Sequence, residues 1–307
     1  MKHHFLFGAG ASAFSGGCAP KSPPLGNALF AELREVLRCK DHIQPEIQTL
    51  FEQDFETGMD ALCQKQGILV QSFLQDMAKY FLQFKPRRSN YYVQFLRIML
   101  RKPVAVNIAT LNYDLLIEHS IEMLGLRYQH PPEPKERGTL PVFKLHGSCN
   151  IVPDLGEATI TNITLVVPPS SEPGVIVGGV GGTRVRSLSV ADAHHFLHDR
   201  QTLVPLMAMY HKDKPVRDCP TLLTQMQEFW ATTLNNSEKL FVIGTRLVTH
   251  DTHIWDPIAN FKGELCWVSP DVTEARAWAL EHDLKFVEYA KTFKEFLDRY
   301  ESEPSNL

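Results

Sequence analysis

Phe5-Leu6-Phe7-Gly8-Ala9-Gly10-Ala11-Ser12-Ala13 is the stretch whose reading decides the fold. Three consecutive apolar residues that stop at a glycine read as a strand buried on both faces, the habit of strands inside a parallel sheet. The glycines that follow fit the G-x-G-x-x-G/A pattern. In that pattern the first glycine makes a tight turn and the second lets a pyrophosphate approach the backbone N–H groups. A chance Gly-rich turn is spelled the same way. The ordinary dinucleotide fingerprint also asks for an immediate helix and an acid about 20 residues on. Here Ser15, Gly16, Gly17 and Pro20 to Pro24 prolong the loop, and Glu32 and Glu35 fall on a helical pattern. A long loop covering a ligand fits better than a dehydrogenase turn.

Working outward, further short apolar runs read as strands at Val104 to Ile108, Val142 to Leu145, Leu240 to Ile243, Leu265 to Val268 and Phe286 to Tyr289. Helical spacing of apolar residues marks Leu25 to Leu37, Leu115 to Leu124, Val190 to Tyr210, Thr221 to Leu234, Thr273 to Glu281 and Phe293 to Tyr300. Strands alternating with helices predict an α/β fold: a Rossmann-like parallel sheet with helices on both faces. Residues from about 44 to 100 are helical and too long for a simple crossover, so they read as an inserted helical subdomain. A Pro-, Gly- and Ser-rich stretch from about 150 to 187 reads as an irregular insertion or a β element. Residues 1–307 are thus expected to form a single domain with two insertions.

Composition narrows the function. The 31 basic and 35 acidic residues leave a net charge of −4, which excludes a sequence-wide basic footprint, so no direct nucleic-acid binding is expected. Six cysteines, none within four residues of another, offer neither paired-thiol metal spacing nor a disulfide framework, and a reducing cytoplasm is the expected location. Met1 to Phe7 enters an apolar run too short for a signal peptide, and no run approaches the roughly 20 residues of a membrane helix. Gly178 to Arg184 lacks the Gly-Lys-Ser/Thr ending of a P-loop, and no Gly-x-Ser-x-Gly elbow occurs. His194, His195 and His198 have metal-like spacing without a carboxylate motif and read as an exposed polar face. His250 and His253, flanking Asp251, read as a solvated turn or as cleft residues.

Three more motifs follow strands. Thr110-Leu111-Asn112-Tyr113-Asp114 lies where ligands sit in open parallel sheets, although Asn112 also suits a helix cap. Lys144-Leu145-His146-Gly147-Ser148 puts a histidine before a glycine, so the imidazole can be aimed into a cleft as a base or be a locally satisfied ring. Val242-Ile243-Gly244-Thr245-Arg246 is a strand entering a small-residue turn, which is common without function.

In this order the four motifs resemble the sirtuin superfamily, whose NAD-binding core carries a Gly-Ala-Gly-x-Ser loop, a Thr-x-Asn-x-Asp segment, a His-Gly and a late Gly-Thr/Ser strand end. The resemblance spans about residues 5 to 290. Two departures set the subtype. Gly17 to Pro24 lacks the Pro-Asp-Phe-Arg segment of deacetylating sirtuins, and only Cys149 and Cys219 lie between His146 and Trp230, too few for their four-cysteine zinc module. The spellings look instead like bacterial sirtuin-like NAD hydrolases of antiphage systems. The resemblance implies NAD as substrate, no metal, and cleavage of the nicotinamide–ribose bond. It assigns catalysis to Asn112 and His146. It assigns nucleotide contacts to Gly8, Ala9, Gly10, Ala11, Ser12, Asp114, Gly244, Thr245 and Arg246. It also implies a homo-oligomer, or a separate ATPase or sensor partner, as restraint. The alternatives it leaves are a protein deacylase without the zinc module and a non-catalytic sensor of NAD or an ADP-ribose derivative.

Overall fold

The computed structural model describes residues 2–131, 136–154, 185–199, 203–208 and 220–304. They fall into two compact units, one of Met1–Leu25, Gln83–His146 and Thr224–Leu307, the other of Gly26–Leu82 and Gly147–Leu223. No helix among the described residues is long and apolar enough to cross a membrane.

The first unit is built on seven parallel strands: β1 (Lys2–Phe7), β2 (Ala105–Thr110), β3 (Arg127–Gln129), β4 (Thr139–Lys144), β5 (Lys239–Ile243), β6 (Glu264–Val268) and β7 (Lys285–Ala290). Their order is β7-β6-β5-β1-β2-β4-β3. The chain runs outward from β1 on one side and returns to its other side at β5. That reversal is the topological switch point at which open α/β sheets bind ligands. Seven helices belong with the sheet: α1 (Ala9–Ala13), α2 (Tyr91–Arg101), α3 (Leu116–Met123), α4 (Pro220–Leu234), α5 (Thr252–Ala259), α6 (Thr273–Glu281) and α7 (Phe293–Ser302).

The alternation of β1 explains the two covered faces. Phe5 and Phe7 point one way, with Phe5 against Phe95 of α2 at 4.8 Å and Phe7 against Phe293 of α7 at 5.5 Å between ring centroids. Leu6 points the other way, into a core with Trp230 of α4, Trp255 of α5 and Trp267 of β6. Burying each such side chain is worth roughly 1.5–3 kcal/mol, which is why three apolar residues in a row suit a strand with helices on both sides.

Several boundaries differ from the sequence reading. The helical block expected over 44–100 divides: Tyr91–Arg101 packs on the sheet through Tyr92 and Phe95, whereas Pro45–Gln53, Phe55–Lys65 and Gly67–Leu82 belong to the second unit. The helix expected to reach Tyr210 is Val190–Asp199; residues 203–208 are non-helical, with Met207 bridged to Gly147, and 209–210 lie outside the described residues. Residues 9–13, read as loop, form α1, and α5 carries Pro257 inside it, which hid its helical pattern. Of the irregular insertion, Ile151–Pro153 and Val185–Ser187 pair antiparallel; residues 155–184, which include Gly178 to Arg184, lie outside the described residues.

The second unit holds helices Gly26–Leu33, Pro45–Gln53, Phe55–Lys65, Gly67–Leu82 and Val190–Asp199. Its core is a stack of Phe30, Phe51 and Phe73, with centroids 4.3 and 5.3 Å apart. Arg38 binds buried Asp76 through its backbone N–H at 2.9 Å and its Nε at 2.8 Å. His194, His195 and His198 are exposed, as the polar-face reading expects.

Candidate functional site

Register brings the motifs of the first unit to one edge. Phe7 pairs with Thr110 and with Ile243, and Thr110 pairs with Lys144. The next residues, Gly8, Leu111, Leu145 and Gly244, therefore leave the sheet side by side at its carboxyl end. Hydrogen bonds extend the pairing past the strands: Leu111 N–H donates to the Phe7 carbonyl at 2.9 Å and Leu145 N–H to the Thr110 carbonyl at 3.0 Å. Asn112 and His146, each two residues beyond a paired position, emerge from adjacent strands at the same height.

The opening glycine turn and the Gly244 turn interlock. Gly8 N–H donates to the Ile243 carbonyl at 3.0 Å and Gly10 N–H to the Gly244 carbonyl at 2.9 Å. A Cβ on Gly10 would stand 2.9 Å from that carbonyl oxygen, closer than side chains tolerate. Gly244 has φ +64 and meets the Ala11 backbone, so a side chain there fails on conformation and on space. The closest approach that the second glycine permits is thus made by the protein's own turn. A Cβ on Gly8 would clash with the Thr245 hydroxyl; Thr245 Oγ1 is buried and makes no hydrogen bond among the described residues. Ala9 and Arg246 are exposed at the rim, as is Phe14, just past α1.

Beneath this turn sits a polar network. Asn112 donates both amide hydrogens, to the Gly8 carbonyl at 2.9 Å and to Ser12 Oγ at 2.8 Å. Ser12 Oγ also meets the Tyr92 hydroxyl at 3.1 Å and lies in hydrogen-bond reach of the Asp114 carboxyl. Asp114 accepts from Leu116 N–H at 3.0 Å, starting α3. Burial pushes the Asp114 carboxyl above the ordinary carboxylate range, against the pull of nearby Lys144. Lys144 is wholly buried, 3.1 Å from Glu118, and donates to the Asp114 carbonyl at 2.7 Å. Sequence reading missed this support. It also missed Asn90, which caps α2 through Tyr92 N–H and holds the loop through Ser15 Oγ at 2.9 Å and the Gly16 carbonyl at 2.6 Å. The Ser-Asn pair directly before an apolar helical run was the available signal.

His146 is nearly buried and not alone. Its Nε2 stands 3.6 Å from Asp251 Oδ2, and its ring lies 5.3 Å from that of His253. At the His250–His253 turn, Asp251 is buried, His253 half-buried and His250 exposed. The structure therefore gathers Gly8 to Ser12, Asn112, Asp114, His146, Gly244 and Thr245 at one sheet edge, with Arg246 at its rim. Among the described residues no group of three or more His, Cys, Asp or Glu is arranged to hold a metal ion.

No protein-family model matches the chain, and no curated protein matches it in sequence. Among solved structures it is similar to a Sir2 homologue in complex with NAD (15% identity, TM-score 0.47, 98% of this chain and 88% of that one). It is also similar to a Sir2 homologue variant in complex with ADP-ribose (15%, 0.44, 98% and 90%), and to a Sir2 complex with a p53 peptide and NAD+ (12%, 0.42, 97% and 90%). These likenesses are remote, and the site is read from its own residues.

Proposed function

We propose that the protein is an NAD+ glycohydrolase that converts NAD+ and water to nicotinamide, ADP-ribose and a proton, acting by NAD depletion in antiphage defence. The C1′–nitrogen bond breaks with its electron pair passing to the pyridinium nitrogen, so nicotinamide departs neutral and needs no strong acid. The ribose left behind is oxocarbenium-like, as in other glycoside cleavages. Water adds to C1′ and gives up a proton, for which His146 is the base. Asp114 holds the ribose region through the buried Ser12–Asn112 network beneath the glycine turn. The Asn112 amide hydrogens are committed to Gly8 and Ser12, so a ribose hydroxyl would be met by its side-chain oxygen as acceptor.

The nucleotide half falls to the interlocked turns. Gly8, Gly10 and Ala11 commit their N–H groups within the protein, the last to the Gly8 carbonyl at 3.0 Å. The pyrophosphate would therefore approach along exposed Ala9, with the Thr245 hydroxyl as a polar contact and Arg246 supplying charge at the rim. Restraint of such an activity falls to a second copy of the chain or to a separate ATPase or sensor.

The observation that carries this reading is the register that sends Asn112 and His146 out of neighbouring strands at one height, beside the Gly8–Ser12 turn. Purified protein incubated with NAD+, with and without an acylated peptide, followed by chromatography, tests it. Nicotinamide and ADP-ribose without peptide are expected. O-acyl-ADP-ribose formed only with peptide would identify a deacylase instead, and binding without turnover a sensor.

A further inference from the structure

We infer that Asp251 is a positioning residue that holds the His146 imidazole for proton acceptance; the inference rests on the glycohydrolase reading of the site. Asp251 is the N-cap of α5, a place where aspartate ordinarily accepts a backbone N–H and is worth about 0.5–2 kcal/mol over alanine. Its side chain makes no such cap. The helix start is instead fixed by the backbone: the Asp251 carbonyl accepts from Ile254 N–H at 2.8 Å and Trp255 N–H at 3.0 Å, and Asp251 N–H donates to the Val248 carbonyl at 2.9 Å. A carboxylate on a rigid backbone, 3% exposed, has turned from the helix it should cap toward the imidazole of His146.

At 3.6 Å the two groups are in electrostatic contact, and a small ring rotation closes the gap to a hydrogen bond, as catalytic pairs do on ligand binding. The carboxylate faces Nε2. It therefore favours the tautomer with the proton on Nε2, keeps the lone pair on Nδ1, and stabilises the imidazolium formed when a proton arrives. This is how a carboxylate orients a histidine base. His253, on the first turn of α5, lies with its ring centroid 5.3 Å from the same ring at an interplanar angle of 53°. Among the described residues, Asp251 and His253 face His146, and exposed His250 lies 4.0 Å from Asp251.

The test uses Asp251→Ser and Asp251→Asn in the full chain. Serine is a good N-cap and carries no charge, so Asp251→Ser should keep the helix start and stay folded while kcat falls about 100-fold and KM for NAD+ stays within about threefold. Asp251→Asn should fall similarly in kcat, and Asp251→Glu should recover part of it. Nitrogen-15 spectra of the His146 ring, which need no turnover, should show Nε2–H in wild type and a tautomer mixture in Asp251→Asn. Wild-type kcat in both variants, or an unchanged ring spectrum, overturns the role of Asp251. Absence of NAD+ cleavage by wild type, with the tautomer change still present, overturns the glycohydrolase reading and leaves the positioning contact standing.

Discussion

The two ends of the central strands carry histidines under opposite regimes. At the amino end, His3 and His4 on β1 are sealed in the core: His3 Nδ1 meets the Tyr300 hydroxyl at 2.7 Å and His4 Nε2 meets Asn107 Nδ2 at 2.5 Å. Burial pushes His3 down to about 4 and His4 down to about 3, so both rings are neutral structural groups. At the carboxyl end, His146 is as buried but stands beside a carboxylate, on a turn that follows a glycine-lined edge. One residue type in one sheet is thus sealed packing at one end and set beside a carboxylate at the other. What separates the two settings is the end of the strand and the charge of the neighbour, not burial.

The largest effect that sharpens this contrast lies beneath the carboxyl end. Lys144→Met leaves Glu118 buried without its 3.1 Å partner, and the loss should be about 3–5 kcal/mol by urea denaturation. Lys144→Met combined with Glu118→Leu should recover most of it. An undiminished single variant would show that the pair is not shielded from water.

Next comes acid sensitivity at the amino end. His3 and His4 have folded values below the ordinary 6.5, so the unfolded chain binds protons first. Their stabilising effect is complete above pH 6.5 and fades as pH falls below it, by about 2 kcal/mol each at pH 5. Denaturation midpoints between pH 7 and 5 check this. His4→Gln should flatten the slope and leave NAD+ turnover at pH 7 intact, whereas a fall in turnover would break the division between the two ends.

The smallest effect has opposite signs for stability and binding. Thr245→Val removes a buried hydroxyl that makes no hydrogen bond among the described residues, so stability should be unchanged or higher by up to about 1 kcal/mol. NAD+ binding should weaken about two- to tenfold, the worth of one hydrogen bond. Calorimetric titration beside thermal melting reads both, and a destabilised variant with unaltered binding would make Thr245 a structural group.

Most of the sheet was legible because strands covered on both faces announce themselves as unbroken apolar runs; Phe5-Leu6-Phe7 and Leu240 to Ile243 lie where their patterns put them, whereas the edge strand Arg127–Gln129 has no apolar run and was not read. The motifs were legible as strand ends for the same reason. Their interlocking was not: that Gly10 serves the approach of Gly244 is a relation between residues over 230 positions apart, and local spacing carries no trace of it. Asn112 likewise read as a ligand or a cap, while its amide binds Gly8 and Ser12. Asp251 was overshadowed because a His-Asp-Thr-His string looks like a solvated turn, and Pro257 concealed the helix behind it.

The central claim is tested most directly by the rate of nicotinamide release from His146→Ala against wild type, each shown folded by circular dichroism and able to bind NAD+. Turnover by wild type and a loss of about 1,000-fold in the variant are predicted, the scale of a removed general base. Equal rates, or a wild type that binds NAD+ and releases no nicotinamide, would contradict it.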